Sequence, residues 1–342
     1  MSEALARRAA TLEDVARAAG VSRSTVSRVI NNIRNVDPEL QQTVRDAVAA
    51  TGYVPNAAAR ALVTRRAGAV ALVMSSSAGQ SAGQEGIFTD PFFGRVVSGM
   101  IGALRPLGVH PVLMLADDPA AREQVLSYLR QGNADGAMLV STRADDPLPG
   151  RLLDAGLPTV LFGRPGEPLP GQVSWVDLRN VEGGRLAAEH LRARGCRRIV
   201  TIAGPAAISA GADRLAGTRA VLGDLPAVEG DFGQASGARA MERLLDEHPD
   251  LDGVFAANDL MARGAVAVLI ERGRRVPEDV AVIGFDDSSA ATVGLPPLST
   301  VRQPVEEMAA EMTRLLLDRI ADPLAGPGSV LFDPELVIRE SA

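Results

Sequence analysis

Lysine is missing from this 342-residue chain, whose 35 basic residues are all arginine. Genome composition alone is enough to produce that, so this absence excludes nothing. Cysteine is nearly missing too. The single one, Cys196, cannot close an intrachain disulfide, which fits a reducing cytoplasm. No apolar run approaches the roughly 18–20 residues that a membrane span needs. The opening MSEALARRAATLED has no continuous apolar stretch and does not read as a secretory signal. Catalytic signatures are also lacking: there is no G-x-S-x-G elbow, no Walker A loop and no G-x-G-x-x-G after a strand. His110, His190 and His248 have no metal-ligand spacing. Neither enzyme activity, nor a metal, nor a cofactor is expected.

What is present is an uneven charge. Residues 1–66 hold ten arginines against six acids, whereas the remainder holds 25 against 36, for a net charge of -7. A small basic head on an acidic body points to a polyanion partner for the head alone. The head reads as short helices. Thr11 is placed to cap LEDVARAA, with Asp14 completing a capping box, and Gly20 ends that helix. Ser22 then caps RSTVSRVINN, and Asp37-Pro38 opens PELQQTVRDAVAATG. Helix, glycine turn, helix is the helix-turn-helix pattern. Val26, Val29 and Ile30 would pack onto Leu12 and Val15. Arg23 and Ser24 would then project toward base edges, and Ser22, Thr25 and Ser27 toward phosphates.

From residue 67 the rhythm changes. Apolar runs such as GAVALVM, HPVLMLA, DGAMLVST, RRIVTIAG, DGVFAAN and VAVIGFDD alternate with helical segments. That alternation predicts parallel sheets with right-handed crossovers. The two series split near Pro170-Gly171. The expected fold is therefore α/β: a helix-turn-helix head followed by two doubly wound parallel-sheet lobes.

TLEDVARAAGVSRSTVSRVINN, then V-x-P-E and GYVPNAAARALVTRR, closely resembles the DNA-binding head of the lactose/galactose repressor family over residues 11–66. The body resembles that family's effector-binding core of periplasmic-binding-protein type. DPFFGRVVSG, VDLRNVEGGRLAAEHL, FAANDLMARGA, RRVPEDVAVIGFDDS and LSTVRQP carry the likeness. The resemblance implies a head over 1–54, a hinge helix and linker over 55–66 and a core over 67–342. Within the core it implies a first lobe of about 67–171 and 302–326 and a second of about 172–301 and 327–342. It implies a homodimer contacting double-stranded operator DNA through Thr11, Ser22, Arg23, Ser24, Thr25, Ser27, Arg28, Asn31 and Asn56. Leu62 of the hinge would wedge into the minor groove. Leu40 and Gln41 depart from the more polar or basic residues common in the family.

For the effector, the family's polar sugar-contacting positions match Arg214, Asn258 and Asp286, and its aromatic position matches Phe232. Phe92 and Phe93 fall on the first-lobe wall, and Thr142 and Arg164 at strand ends. Asn258 and Asp286 also suit turns or helix caps. Ile208 stands where purine-responsive members carry a charged contact. GYVPNAAARALVTRR and RRVPEDVAVIGFDD are most similar to the cellobiose-responsive repressors. The implied function is a cytoplasmic repressor whose operator affinity a β-glucoside or short oligosaccharide lowers. The alternative is the same fold acting as a corepressor-dependent or activating regulator with a non-sugar small-molecule effector. The closing residues Ile338–Ala342 are expected at the surface with no heptad tail, which favours dimers over tetramers.

Overall fold

The computed structural model describes residues 10–30, 36–54, 66–75, 90–166 and 173–342. Two compact units divide at Gly68–Ala69. Asn31, Asn56 and Leu62 lie outside the described residues.

The first unit holds α1 (Leu12–Ala19), α2 (Arg23–Ile30) and α3 (Pro38–Thr51). Its boundaries follow from local chemistry. Thr11 and Asp14 form the capping box, with the Thr11 N–H donating to Asp14 Oδ2 at 2.9 Å. Gly20 and Gly52 end α1 and α3 at φ of 65° and 64°, the left-handed conformation that glycine adopts without steric cost. Asp37 caps α3 ahead of Pro38. Val15, Ala16, Val26, Val29, Val44 and Ala47 form a small core, with Leu12 and Ile30 packed against it.

The second unit contains two six-stranded sheets. The first runs β2 (His110–Leu115), β1 (Ala69–Met74), β3 (Ala137–Val140), β4 (Thr159–Phe162), β5 (Ser174–Leu178) and β11 (Ser329–Phe332), all parallel. The second runs β7 (Ala227–Glu229), β6 (Ile199–Ala203), β8 (Gly253–Ala256), β9 (Ala281–Asp286), β10 (Ser299–Arg302) and β12 (Glu335–Val337). Only the β10–β12 pair among these is antiparallel. Helices cover both faces, so the strands are near-continuous apolar runs rather than alternating ones. On the first sheet these are α4 (Pro91–Leu104), α5 (Pro119–Arg130), α6 (Leu148–Asp154) and α12 (Val305–Ala321). On the second they are α7 (Asn180–Ala193), α8 (Ser209–Leu222), α9 (Gln234–Glu247) and α10 (Asp259–Glu271), with the short α11 (Ser289–Thr292) beside them.

The lobe boundaries differ from the expected ones. β5 and β11 both belong to the first sheet, where Val176 registers with Phe162 on one side and Val330 on the other. The first crossing therefore comes after Leu178, not near residue 171. The final segment divides between lobes, with 329–332 in the first sheet and 335–337 in the second. The segment 299–304 does cross back, and α12 packs on α4 of the first lobe. Ser341 and Ala342 are buried rather than exposed: Ser341 Oγ donates to the Val282 carbonyl at 2.6 Å, and its own carbonyl accepts from the Val282 N–H.

Candidate functional site

In the first unit, the face of α2 opposite its core is a hydroxyl and arginine surface. Ser22, Arg23, Ser24 and Arg28 are exposed, while Thr25 and Ser27 are half-buried. Ser22 Oγ accepts the Thr25 N–H at 3.1 Å and lies 2.8 Å from Ser24 Oγ and 2.9 Å from Thr25 Oγ1. The cap thus gathers three hydroxyls at the start of the helix, where the backbone N–H groups also favour an anion. Thr11 serves its own helix: its hydroxyl donates to Asp14 Oδ2 at 2.7 Å.

In the second unit a cavity of about 260 Å3 opens between the lobes at the C-terminal ends of the strands. That is where open α/β sheets present ligand sites. Among the described residues, the non-glycine positions with positive φ are Ser141, Phe232, Asp286 and Asp287. All four follow or end strands, and the first three line the cavity. Such backbone is held only where surroundings over-determine it, and it clusters at functional sites.

Arg214 organises the second-lobe wall. It is 4% exposed, and its guanidinium uses every direction. Nε donates to Asn180 Oδ1 at 2.9 Å, Nη1 to the Ala257 carbonyl at 2.6 Å and Nη2 to Gln303 Oε1 at 2.9 Å. Asp286 Oδ1 lies 3.4 Å from Nη1, and the ring of Phe285 lies 3.6 Å beneath the guanidinium carbon. Burial pushes the Asp286 carboxyl up from its ordinary value, and Arg214 pulls it back. Asn258 caps α10 by accepting from the Met261 N–H at 2.9 Å, and its amide holds the Phe232 carbonyl at 2.8 Å. Asn258 therefore both caps the helix and lines the site. Phe232 in turn lies against Gly204, where a Cβ would come within 2.6 Å of the ring.

The first-lobe wall is aromatic. Phe92 makes edge-to-face contacts with Phe93 at 5.4 Å and with Phe162 at 5.2 Å between centroids. Phe93 is also a core residue. Beside them Thr142 Oγ1 is buried with no partner among the described residues. Arg164 stands at the mouth and pairs across the cleft with Asp213 of α8. The Ala144 N–H also crosses the mouth, to the Ala207 carbonyl at 2.9 Å. The structure thus brings Phe92, Phe93, Thr142, Arg164, Arg214, Phe232, Asn258 and Asp286 to one cavity.

Sequence reasoning missed Asp90, Asn180, Gln303 and Phe162, all of which line it. Asp90 caps α4 through the Phe92 N–H at 2.9 Å. Burial pushes its carboxyl up to about 7; the Phe92 N–H opposes this, Asp286 adds to it and Arg214 opposes it. The D-P-F-F spacing was the available signal, since an N-cap aspartate before Pro91 must sit at the strand-end side of the helix. Among the described residues, no group of three or more His, Cys, Asp or Glu is placed to hold a metal ion. Nor is any helix there long and apolar enough to cross a membrane.

Residues 11–56 match the profile of the bacterial regulatory proteins of the lacI family, and residues 188–342 that of the periplasmic binding protein-like domain. The chain is 45% identical to the HTH-type transcriptional regulator CelR of Thermobifida fusca, covering 98% of this chain and 99% of that one. It is 32% identical to the ribose operon repressor of Escherichia coli (strain K12), covering 97% and 100%. Among solved structures, a transcriptional regulator CelR–cellobiose complex superposes with a TM-score of 0.75 at 43% identity, over 97% of this chain and 100% of that one. The lac repressor dimer bound to operator and the anti-inducer ONPF does so at 0.80 and 26%, over 98% and 99%. Head, core and near-complete alignment agree: this chain belongs to the LacI family of DNA-binding transcriptional regulators.

Proposed function

We propose that this protein is a cytoplasmic, homodimeric repressor whose operator affinity falls when a β-glucoside or short oligosaccharide such as cellobiose fills the cavity between its lobes. The observation that carries the reading is the pairing of a polar wall with an aromatic one. Arg214 fixes Asn180, Asp286 and Gln303 on one side, and Phe92, Phe93 and Phe162 stand on the other. Fixed carboxylates and amides suit paired sugar hydroxyls, and a ring suits the C–H face of a pyranose. Ile208 at the cavity offers a purine no charge. The likeness to CelR and to its cellobiose complex supports the same effector class.

On the DNA side, Arg23, Ser24 and Arg28 read or hold the duplex, and Ser22, Thr25 and Ser27 contact phosphates. Thr11 fixes the helix before them, and Asn31, Asn56 and Leu62 complete the set. Calorimetry with cellobiose, glucose and hypoxanthine, followed by operator release with any binder, tests the whole reading. Cellobiose is expected to bind and release operator. Binding of hypoxanthine instead would overturn the sugar assignment. Arg23→Ala is expected to abolish operator selection with sugar affinity unchanged.

A further inference from the structure

Arg95 lies on α4 one turn beyond Phe92, yet it is not part of the cavity lining; with Glu306 it lines a separate outer groove. Its guanidinium is held within the first lobe by a two-pronged ion pair. Nε donates to Glu306 Oε1 and Nη2 to Oε2, both at 2.8 Å. The remaining bonds reach the second lobe and the crossover segment. Nη1 donates to the Asp286 carbonyl at 2.8 Å, and Nη2 to the Gln303 carbonyl at 3.0 Å.

Those two carbonyls belong to the residues whose side chains Arg214 holds inside the cavity. Asp286 and Gln303 are therefore gripped twice, by Arg214 through their side chains from within and by Arg95 through their backbones from without. Asp286 sits at φ 101°, a strained backbone conformation that persists only where its surroundings hold it. A further contact ties α4 to the crossover helix one turn on. A Cβ at Gly99 would lie 2.2 Å from the Glu306 carbonyl oxygen, so the two helices touch backbone to backbone. A displacement of Asp286 or Gln303 would act through these bonds on Arg95, and through it on the α4–α12 pair.

We propose that Arg95 is the positioning residue that couples occupancy of the cavity to the first lobe, the lobe that follows the head in sequence. This rests on the cavity being the effector site. The coupling is the ratio of operator affinities without and with saturating sugar, and by linkage it equals the ratio of sugar affinities without and with operator. Arg95→Ala is expected to lower that ratio by about tenfold, while sugar affinity of the free protein changes by less than about fivefold. Arg95→Lys keeps the charge but cannot make the fork, and is expected to behave like the alanine variant. A merely structural arginine would lower the melting temperature and leave the ratio intact.

Cellobiose is the probe, with both ratios measured on full-length protein. A full ratio in folded Arg95→Ala overturns the proposal. Should that variant fail to fold, a full ratio in Arg95→Lys does the same. If wild-type protein binds no cellobiose, the effector reading falls first and the coupling role with it. Binding by wild type, with full coupling in the variants, removes only the role of Arg95.

Discussion

Asp90 shows what a single buried carboxyl does to the site. Its value of about 7 stands well above the usual carboxylate range because burial removes water from the charged form. The folded protein then holds a proton that the unfolded chain has released, so this residue makes stability fall as pH rises from about 4 to 7. Asp259, buried and also pushed up to about 7 by burial, acts in the same direction. A melting curve therefore cannot separate the two, but sugar affinity can. Sugar hydroxyls that donate to Asp90 would favour its ionised form, and binding would then release a proton. Affinity should climb as pH approaches 7 and then level off, and Asp90→Asn should flatten the profile in calorimetry at several pH values. Thr142 gives a second prediction. Its buried hydroxyl lacks a partner among the described residues, a cost of about 1–3 kcal/mol. Thr142→Val should raise the melting temperature of the free protein and weaken sugar binding. An unchanged sugar affinity would return Thr142 to a packing role.

At the scale of elements, the position of Arg214 depends on how closely α7 and α8 approach. A Cβ at Gly217 would lie 1.9 Å from the Val181 carbonyl oxygen, and one at Gly184 2.1 Å from that of Arg214. The two helices meet backbone to backbone because both carry glycine at the crossing. Gly217→Ala must push α8 outward, at a cost of about 1–3 kcal/mol, as overpacking usually does. It should also weaken sugar binding by moving Arg214, with operator binding by the separate head unit unaffected; denaturation and calorimetry read the two. The elements legible in sequence were those with strong periodicity or caps, among them α1 to α3, most helices of the core and the apolar strands. β5 was not, because SWVDL begins with serine and carries Asp177 within it. That aspartate accepts from Asn180 Nδ2 at 3.0 Å at the crossing itself, a use visible only once the lobes are assembled. β7 has three residues, two of them exposed, and no pattern to read.

On the scale of the whole molecule, the separation of charge assigns the two partners to separate units. The basic head meets phosphate, and the acidic core meets an uncharged ligand. Raising salt from about 50 to 200 mM should therefore weaken operator binding steeply, by on the order of 10^3-fold if six phosphates are engaged, as counterion release requires. Sugar affinity should change by less than about twofold over that range, since no net charge is neutralised. Filter binding and calorimetry across a salt series check the contrast, and a steep salt slope for sugar would contradict it.

The sequence by itself determined the parts whose causes are local. A capping box, glycine ends and a hydroxyl-rich helix define the head, and alternating apolar runs define doubly wound lobes. The sequence's resemblance to the repressor family, with strand ends for Thr142 and Arg164, pointed to eight residues that line the cavity. Only the tertiary structure decided which lobe receives β5 and β11, that Asp90 and Gln303 join the site, and that Arg95 grips Asp286 from outside. Those facts depend on contacts between residues far apart in sequence, such as Arg95 and Gln303, 208 positions apart. Local propensity carries no trace of such pairings, because their energy arises only when burial brings the two segments together.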